Sequence, residues 1–462
     1  MAEDDGSDVK VTKTHDIIVI GAGFAGLSAA VALAKCGRRV IVIEASNRLG
    51  GRATSFRDGV TGELVDNGQH VLFGCYRETR RFLARIGSDH HLHLQTKLDI
   101  SSIDVDGCRH RLVCPLFIPP LNLIAGLLKW DALSIRDRTA IFKVVPPLAL
   151  TRCRRGGFFG SVPASPLETV QDWFLRYGQP PRLCELLWEP LVLAALNQSP
   201  SVAAAPTFVN TLAKLIGEKP SDSGVALPTR PLEEFYTRPA RNFIESHGGE
   251  VRTGTAGLVP VNNAGVHEVA VGRDRFLAPV IIAAVPWFSL MNLFPDGPPV
   301  SLQEICAAAE ATNPSPIVTV NLWLDRPVID VPFIGFPGRE IQWLFDKRQL
   351  FGENTSHLSL VSSDAATVSR FPNREIVSLA IEQVRKALPA AQGATVHRAT
   401  VVREPRATFS LAPGQPPRPK TETALPGFLL AGDWIDTGLP ATIEGAVMSG
   451  HKAAKVALEL TS

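Results

Sequence analysis

Residues 17 to 52 read IIVIGAGFAGLSAAVALAKCGRRVIVIEASNRLGGR. An apolar run at residues 17–20 enters a turn that contains three glycines, Gly21, Gly23 and Gly26. An alanine-rich stretch at residues 27–35 predicts a helix, and a second apolar run ends at Glu44. The order of strand, glycine turn, helix, strand and acid is typical of the dinucleotide-binding βαβ unit. The stretch therefore predicts a parallel α/β domain that binds a dinucleotide.

The residue types explain how such a unit holds its ligand. One glycine makes the tight turn, one lets the backbone approach the pyrophosphate, and one lets the helix lie close to the strand. The positive end of the helix, where Phe24 and Ala25 fall, then faces the phosphates. Glu44, with Ala45 beside it, is placed to accept hydrogen bonds from a ribose. All of these residues are candidates for binding the cofactor.

The residues after Glu44 narrow the choice of dinucleotide. Residues 48–52 read RLGGR, in which Gly51 precedes Arg52. A guanidinium group can bind phosphate oxygens through two parallel hydrogen bonds. An acid followed by RxGGR resembles the FAD fingerprint of the amine oxidase and phytoene desaturase superfamily. The expected cofactor is therefore FAD.

A second segment, residues 428–454, reads FLLAGDWIDTGLPATIEGAVMSGHKAA. In this superfamily the strand that leads to Gly432 and Asp433 returns to the first domain, and the aspartate contacts the ribityl-phosphate region of FAD. A helix is expected to start near Thr442. Its N-terminus at Ile443 would face the flavin O2 edge, where the positive dipole end favours an anionic reduced flavin. Because no cysteine follows Cys306, FAD is expected to be bound non-covalently.

Composition sets further limits. The chain has 462 residues, 45% of them hydrophobic, and a net charge of +2, which suits two or three globular domains and gives no nucleic-acid footprint. The first residues lack the apolar region of a signal peptide. Seven cysteines form no CxxC pair and no metal-ligand spacing, which indicates a reducing, cytoplasmic location and predicts no metal site. No second glycine-rich nucleotide unit occurs, so an external electron donor or reductase is expected.

The predicted fold is a Rossmann-type α/β FAD domain, interrupted by an α+β substrate domain. The FAD domain is predicted to comprise residues 15–75, 231–290 and 400–460, and the substrate domain residues 76–230 and 291–399. The first part of the substrate domain is expected to be mainly helical over residues 76–220. The alternating pattern of residues 315–360 predicts an antiparallel sheet.

The longest apolar stretch, residues 112–128, reads LVCPLFIPPLNLIAGLL. Its prolines break it, and it is too short to span a bilayer. A lid or channel wall, a core segment and a membrane contact all fit this pattern. Basic and indole side chains follow it, namely Lys129, Trp130, Arg136 and Arg138. Such groups beside an apolar segment favour peripheral contact with the inner face of the cytoplasmic membrane.

Five less common strings narrow the resemblance. They are VDNGQH at 65–70, LWEPLVLAALN at 187–197, IQWLFD at 341–346, RATF at 406–409 and GDWIDTGLPATIEG at 432–445. Together they resemble the squalene-associated FAD-dependent desaturase family, over roughly residues 15–457. Two positions depart from the family pattern. Gly257 stands where a valine usually packs near the adenine, and Ile435 replaces a more usual threonine.

The resemblance implies a bacterial enzyme of squalene and hopanoid biosynthesis whose substrate is a long apolar isoprenoid. Members of this family reduce hydroxysqualene to squalene and water at the expense of reduced flavin. Such chemistry needs an apolar site, a proton donor and the exclusion of bulk water.

Candidate catalytic and tunnel residues follow from these strings. Gly68, Gln69 and His70 fall in the segment that lies along the flavin in this superfamily. The candidate acids are His70, Glu189 and Asp346, and each also has a purely structural interpretation. Four aromatic residues are expected to line the substrate tunnel and face a cation: Trp188, Trp343, Phe345 and Trp434.

Three alternatives remain open at this stage. A desaturase of a polyene such as phytoene would use the same FAD motifs in the opposite redox direction. A prenyl-binding carrier of the same fold would do no chemistry, although the intact FAD motifs argue against it. An amine oxidase would require an aromatic cage, which the scarcity of tyrosine, three in the chain, disfavours.

Overall fold

The computed structural model of the protein describes residues 12–148, 164–260 and 267–462. Its first domain is built on a five-stranded sheet whose neighbouring strands all pair in parallel. In spatial order the strands are Glu250–Arg252, Val40–Ile43, Ile17–Ile20, Val280–Ala283 and Phe428–Leu430. The four-residue strands are completely buried, as expected where helices and loops cover both faces of a parallel sheet.

Three helices pack together beside this sheet: Phe24–Lys35, Arg238–Ser246 and Ile443–Leu460. The first and last of these approach closely at Gly450, where a Cβ atom would lie 2.2 Å from the backbone oxygen of Ala25. The helix Arg77–Arg85 packs on the last helix. The FAD domain thus draws its strands and helices from widely separated parts of the chain.

The second domain contains a seven-stranded mixed sheet. Its strands, in spatial order, are Val396–Phe409, Pro314–Leu324, Ser356–Ser362, Trp343–Asp346, Phe333–Gly335, Asp99–Ile103 and Arg109–Val113. The first strand runs on to Phe409, so the predicted boundary at residue 400 lies inside this sheet.

Residues 76–220, expected to be mainly helical, also contribute two strands to this sheet. Residues 92–113 form three strands, Leu92–Leu94, Asp99–Ile103 and Arg109–Val113. The antiparallel hairpin made by the last two adds an edge to the substrate sheet. Residues 99–103 are therefore extended because they pair with the distant strand Phe333–Gly335.

The described helices of the second domain are Leu121–Lys129, Ile135–Ala140, Val170–Arg176, Pro181–Leu183, Glu189–Leu196, Ala205–Leu215, Gln303–Glu310, Lys347–Phe351 and Asn373–Ala387. Three of them, Leu121–Lys129, Glu189–Leu196 and Ala205–Leu215, contribute side chains to the wall of a large cavity. A π-helical turn, Cys184–Trp188, directly precedes Glu189. A second π-helical turn, Glu233–Thr237, leads into the helix that starts at Arg238.

Short strands complete the structure. They are Thr12–Thr14, Ser55–Arg57, Leu64–Asp66, Leu72–Phe73, Val225–Pro228, Gly257–Leu258, Glu268–Val271 and Asp274–Leu277. No helix among the described residues has the length and apolar character that crossing a bilayer requires. None of the six described cysteines forms a disulfide, and Cys153 lies outside the described residues.

Candidate active site

The glycine turn has the geometry that the sequence predicts. Gly21 has a φ of +101°, and a Cβ atom there would lie 2.5 Å from the backbone oxygen of Ala284. At Gly26 a Cβ atom would lie 1.9 Å from the backbone oxygen of Gly21. At Gly23 the nearest atom would be 3.8 Å away. Side chains are therefore excluded at two positions, while the backbone at Gly23 stays open to a ligand.

The acid at the end of the second strand is held beside this turn. Glu44 accepts hydrogen bonds from the backbone N–H of Ala22 at 2.7 Å and of Ser46 at 2.9 Å. Gly257 packs against the same strand, since a Cβ atom there would lie 3.2 Å from the Cγ2 atom of Ile43. Gly257, the position expected near the adenine, therefore contacts the residue that directly precedes Glu44, the expected ribose acceptor.

The side chains of the first helical turn serve packing. Phe24 is buried and stacks on Tyr236, with ring centroids 3.7 Å apart. The methyl group of Ala25 is buried as well. These two residues can therefore reach a cofactor only through backbone groups at the start of the helix.

An ion pair joins the two FAD motifs. The Nη2 atom of Arg52 lies 2.5 Å from the Oδ1 atom of Asp433, and its Nη1 atom donates to the backbone oxygen of Ala407. The guanidinium also lies over the ring of Trp287. In this structure Arg52 thus binds protein oxygens, and its predicted contact with phosphate remains a prediction. Its pairing fixes Asp433 beside the glycine turn.

The last helix begins where the sequence predicts, and Thr442 caps it. The Oγ1 atom of Thr442 accepts a hydrogen bond from the backbone N–H of Gly445 at 3.1 Å. The next acid, Glu444, accepts three hydrogen bonds from Glu78 and Thr79 and so caps the helix Arg77–Arg85. Glu444 therefore anchors the flavin helix, as its position in the motif suggests. The open glycine turn, the ribose acceptor, the fixed aspartate and this capped helix together fit FAD.

A cavity of about 580 Å³ lies between the two domains. This volume is within the range of roughly 300–1,000 Å³ found for ligand sites. Gln69, His70 and Ile443 line one part of it. Leu123 and Leu127, from the proline-broken apolar segment, line another part. The cavity thus connects the segment expected to face the flavin with a mostly apolar wall.

Three of the four predicted tunnel aromatics line this cavity, namely Trp188, Trp343 and Phe345. Trp434 does not. Its side chain is buried elsewhere, and its indole N–H donates to the backbone oxygen of Val285 at 3.0 Å. The prediction that Trp434 lines the substrate tunnel is therefore wrong, because its indole packs beside Val285 and away from the cavity.

His70 lines the cavity as a neutral ring. Its Nδ1 atom lies 2.9 Å from the backbone oxygen of Gly68, and a carbonyl only accepts, so Nδ1 carries the proton. Burial lowers the pKa of His70, although Asp66 opposes the shift. The Nε2 atom is therefore an acceptor rather than a proton donor near neutral pH.

Glu189, unlike His70, is suited to donate a proton. It lines the cavity, and it is the sole carboxyl group among the described lining residues. Burial, assisted by the charge of Glu185, raises the pKa of Glu189. Its neighbour Glu185 binds Arg182, but no hydrogen bond or ion pair links the Glu189 carboxyl to any described residue. A half-buried, unpaired carboxyl group with a raised pKa suits a general acid.

Asp346 is not brought to the cavity. It is buried, and it caps the helix Lys347–Phe351 by accepting from the backbone N–H of Arg348 at 3.0 Å. The side chain of Gln349 donates to it as well. Its oxygens are thus used within the fold, which removes Asp346 from the candidate acids.

Comparison with known proteins decides the family. The family model for flavin-containing amine oxidoreductases matches residues 24–458. The chain belongs to this family.

The flavoenzyme is 30% identical to hydroxysqualene dehydroxylase from Sinorhizobium fredii, over 97% of this chain and 99% of the relative. It is 26% identical to 15-cis-phytoene desaturase from Capsicum annuum, over 98% of this chain and 79% of that protein. An oxidoreductase from Methanosarcina mazei shares its fold, with a TM-score of 0.73 and 17% identity, over 95% of this chain and 100% of the other. The chain is therefore an FAD-dependent oxidoreductase, and the non-enzymatic carrier is set aside.

The flavin should be released without breaking a covalent bond. Cys306 is the last cysteine in the sequence, so none follows in the flavin-binding C-terminal motif. We expect precipitation of the flavoenzyme with acid to leave all of the FAD in the supernatant. Yellow colour that remains in the washed pellet would contradict this expectation.

Sequence reasoning missed two buried charges beside the segment that is expected to face the flavin. Lys347 and Asp66 are both buried and lie 3.4 Å apart. Lysine is almost never fully buried, so nothing in the local pattern distinguished it from a surface residue. Asp66 could be noticed only as part of the string that precedes His70. This ion pair brings the VDNGQH string at 65–70 into contact with the residue that follows the IQWLFD string at 341–346.

The structure also gathers three potential metal ligands that the sequence spacing does not reveal: Glu63, Glu353 and His357. Their donor atoms are already used. Glu63 accepts from the indole N–H of Trp323 at 2.6 Å, and His357 lies within hydrogen-bond distance of Asn321 and Glu353. These contacts fix a short hairpin of the FAD domain against the substrate sheet.

Proposed function

We propose that the flavoenzyme reduces hydroxysqualene to squalene, as an enzyme of squalene and hopanoid biosynthesis. The observation that carries the proposal is a mostly apolar cavity that reaches His70 and contains one unpaired carboxyl group, that of Glu189. A long isoprenoid needs the apolar wall, and departure of its hydroxyl needs the acid. Similarity to hydroxysqualene dehydroxylases over nearly the whole chain supports this substrate.

Glu189 is assigned the role of proton donor. Protonation of the allylic hydroxyl lets it leave as water, and the remaining delocalised cation is quenched by hydride. Bound reduced FAD supplies that hydride. The faces of Trp188, Trp343 and Phe345 stabilise positive charge without offering a nucleophile. The apolar wall excludes bulk water, which would otherwise recapture the cation.

His70 is assigned a different role. Its Nε2 atom is an acceptor, so it binds the hydrogen of the substrate hydroxyl and orients the oxygen for protonation. The hydrogen bond from Nδ1 to Gly68 fixes the ring for this purpose. His70 therefore positions the substrate, while the proton comes from Glu189.

Isotope transfer tests the reaction. Enzyme loaded with 5-deaza-FAD that carries deuterium at C5, a carbon position that does not exchange with water, should give squalene with one deuterium at the former carbinol carbon, if hydride moves directly. The measurement is mass spectrometry of squalene after anaerobic single turnover. Squalene formed without deuterium would contradict direct transfer. Consumption of phytoene by the oxidised enzyme, with no turnover of hydroxysqualene, would support the desaturase instead.

Substrate access is proposed to occur at a membrane surface. Four side chains of the apolar segment form an apolar patch that is 53–76% exposed: Leu116, Phe117, Ile118 and Leu121. The neighbouring Pro120, Leu123 and Leu127 line the cavity. One segment thus joins an outer apolar surface to the inner wall, which suits a hydrocarbon that enters from a bilayer.

The surrounding side chains modify the earlier interpretation. Lys129 and Arg136 are exposed beside the patch and suit anionic lipid headgroups. Trp130 is buried in the cavity wall rather than at the surface. Arg138 donates to the backbone oxygens of Leu128 and Leu133 and so stabilises the segment. Attachment would be peripheral, on the cytoplasmic side.

Changing the apolar patch should release the protein from lipid. The triple variant Leu116→Ser, Phe117→Ser, Ile118→Ser removes exposed apolar surface, so vesicle binding should fall while stability changes little. Co-sedimentation with anionic phospholipid vesicles measures the effect. Val300→Ser, at a position that is 82% exposed elsewhere, is the matched control. A wild-type protein that ignores vesicles, with activity unchanged by detergent, would refute the membrane proposal.

A further inference from the structure

Two of the unusual strings meet at a single side chain. Lys347 follows the IQWLFD string, and Asp346 turns the chain there by capping the helix that Lys347 begins. The Lys347 side chain then points into the protein, where it is 2% exposed. Its Nζ atom lies 2.5 Å from the Oε1 atom of Gln69 and 3.4 Å from the Oδ2 atom of Asp66. Both partners belong to the DNGQH string.

The buried ammonium group is held on several sides. It lies over the ring of Phe351, 4.2 Å from the centroid. Asp66 is itself fixed, because it accepts from the hydroxyl of Ser55 at 2.8 Å and from the backbone N–H of Leu232 at 2.9 Å. Removing two charges from water is unfavourable, and apolar residues of similar volume often stabilise a fold as well. Fold stability alone therefore gives a weak reason for Lys347.

The side chain of Gln69 connects the Lys347 ammonium group with the cavity. Its Oε1 atom binds Lys347, so its Nε2 atom is turned the other way and lies 3.3 Å from the backbone oxygen of His70. Gln69 and His70 both line the cavity. The orientation of the carboxamide, and with it the segment at residues 68–70, thus depends on Lys347.

We propose that Lys347 is a positioning residue that acts through Gln69 and places a buried positive charge behind the flavin-facing segment. It orders this segment for FAD and makes the reduced, negatively charged flavin more favourable. Burial lowers the pKa of Lys347, and the negative charges of Asp66 and Glu353 oppose this shift. This inference rests on FAD binding and not on the identity of the substrate, so it stands or falls separately from the proposed reaction.

Two measurements without substrate test the role. One is the midpoint potential of bound FAD by anaerobic photoreduction against reference dyes, and the other is the Kd for FAD. In Lys347→Met the potential should become more negative, because the carboxylate of Asp66 is left unbalanced. The Kd should rise by about 10- to 100-fold, as expected for loss of a hydrogen bond to a charged group. Lys386→Met, an exposed lysine on the surface helix Asn373–Ala387, should change neither quantity.

A double variant guards against misfolding. Lys347→Met with Asp66→Asn removes both charges, so the buried site is neutral and no lone carboxylate remains. We expect this variant to fold and bind FAD, with a potential still more negative than that of the wild type, since Gln69 has lost its partner. Wild-type potential and FAD affinity in a folded Lys347→Met protein, or in the double variant, would overturn the proposal.

Discussion

Replacing Glu189 with glutamine should lower the rate of the chemical step by about 100- to 10,000-fold, the range that general acids contribute. The amide keeps the shape of the side chain but has no acidic proton to give. The protein should remain yellow, because Glu189 lies in the cavity wall and outside the FAD motifs. Single-turnover kinetics with prereduced enzyme and hydroxysqualene measure this step without interference from the electron donor.

The pH dependence of activity tests the assignment of Glu189 independently. The pKa of Glu189 is raised by burial and by Glu185, so the acid form persists to higher pH than for an ordinary glutamate. Activity should be full below that pKa and should fall as pH rises through it. In Glu189→Gln this limb of the profile should disappear.

Glu185→Gln is the matched control, because Glu185 is one helical turn away and pairs with Arg182. It should retain the pH limb, moved slightly to lower pH by loss of the neighbouring charge. His70→Ala should weaken catalysis without removing the limb. Full activity in Glu189→Gln would show that the proton comes from another group, and full activity in His70→Ala would remove the positioning role of His70.

Gly26→Val should abolish the holoenzyme. Even a Cβ atom at this position would lie 1.9 Å from the backbone oxygen of Gly21, and no rotation of a side chain can relieve contact with backbone. The helix must then move from the strand, which destabilises the fold by about 3 kcal/mol or more. The glycine turn would no longer match a pyrophosphate. We expect the purified variant to lack visible flavin absorbance and to unfold at lower denaturant concentration.

Gly59→Ala is the control for this substitution. A Cβ atom at Gly59 would meet nothing within 4 Å, and the residue has no positive φ. This variant should bind FAD like the wild type. A yellow Gly26→Val protein with wild-type stability would mean that the close approach of helix and strand is not required.

The parts of the site that were predictable are those in which backbone geometry restricts the residue type. The spacing of Gly21 and Gly26 predicted a dinucleotide, and the resemblance of the segments around Arg52 and Asp433 to a known superfamily specified FAD. The predicted tunnel aromatics Trp188, Trp343 and Phe345 follow from the family strings and do line the cavity. Local sequence could not predict where Trp434 points, because packing behind the motif decides that.

Tertiary contacts decided the remaining features. The strand Arg109–Val113 forms because its neighbour Asp99–Ile103 pairs with a strand more than 200 residues later, at Phe333–Gly335. Lys347 looks like a surface residue until Asp66 and Gln69 are seen beside it. An acid such as Asp346 and one such as Glu189 differ only in which neighbours their oxygens find.

The pairing of Arg52 with Asp433 has a consequence for synthesis of the protein on the ribosome. The two residues are 381 positions apart, so at about 5–20 residues per second the second appears roughly 20–80 s after the first. For much of this interval the nascent chain presents Val40–Ile43 without its later neighbour Glu250–Arg252, and Ile17–Ile20 without its later neighbour Val280–Ala283. The contact between Arg52 and Asp433 is therefore among the last tertiary contacts that can form during synthesis of the chain.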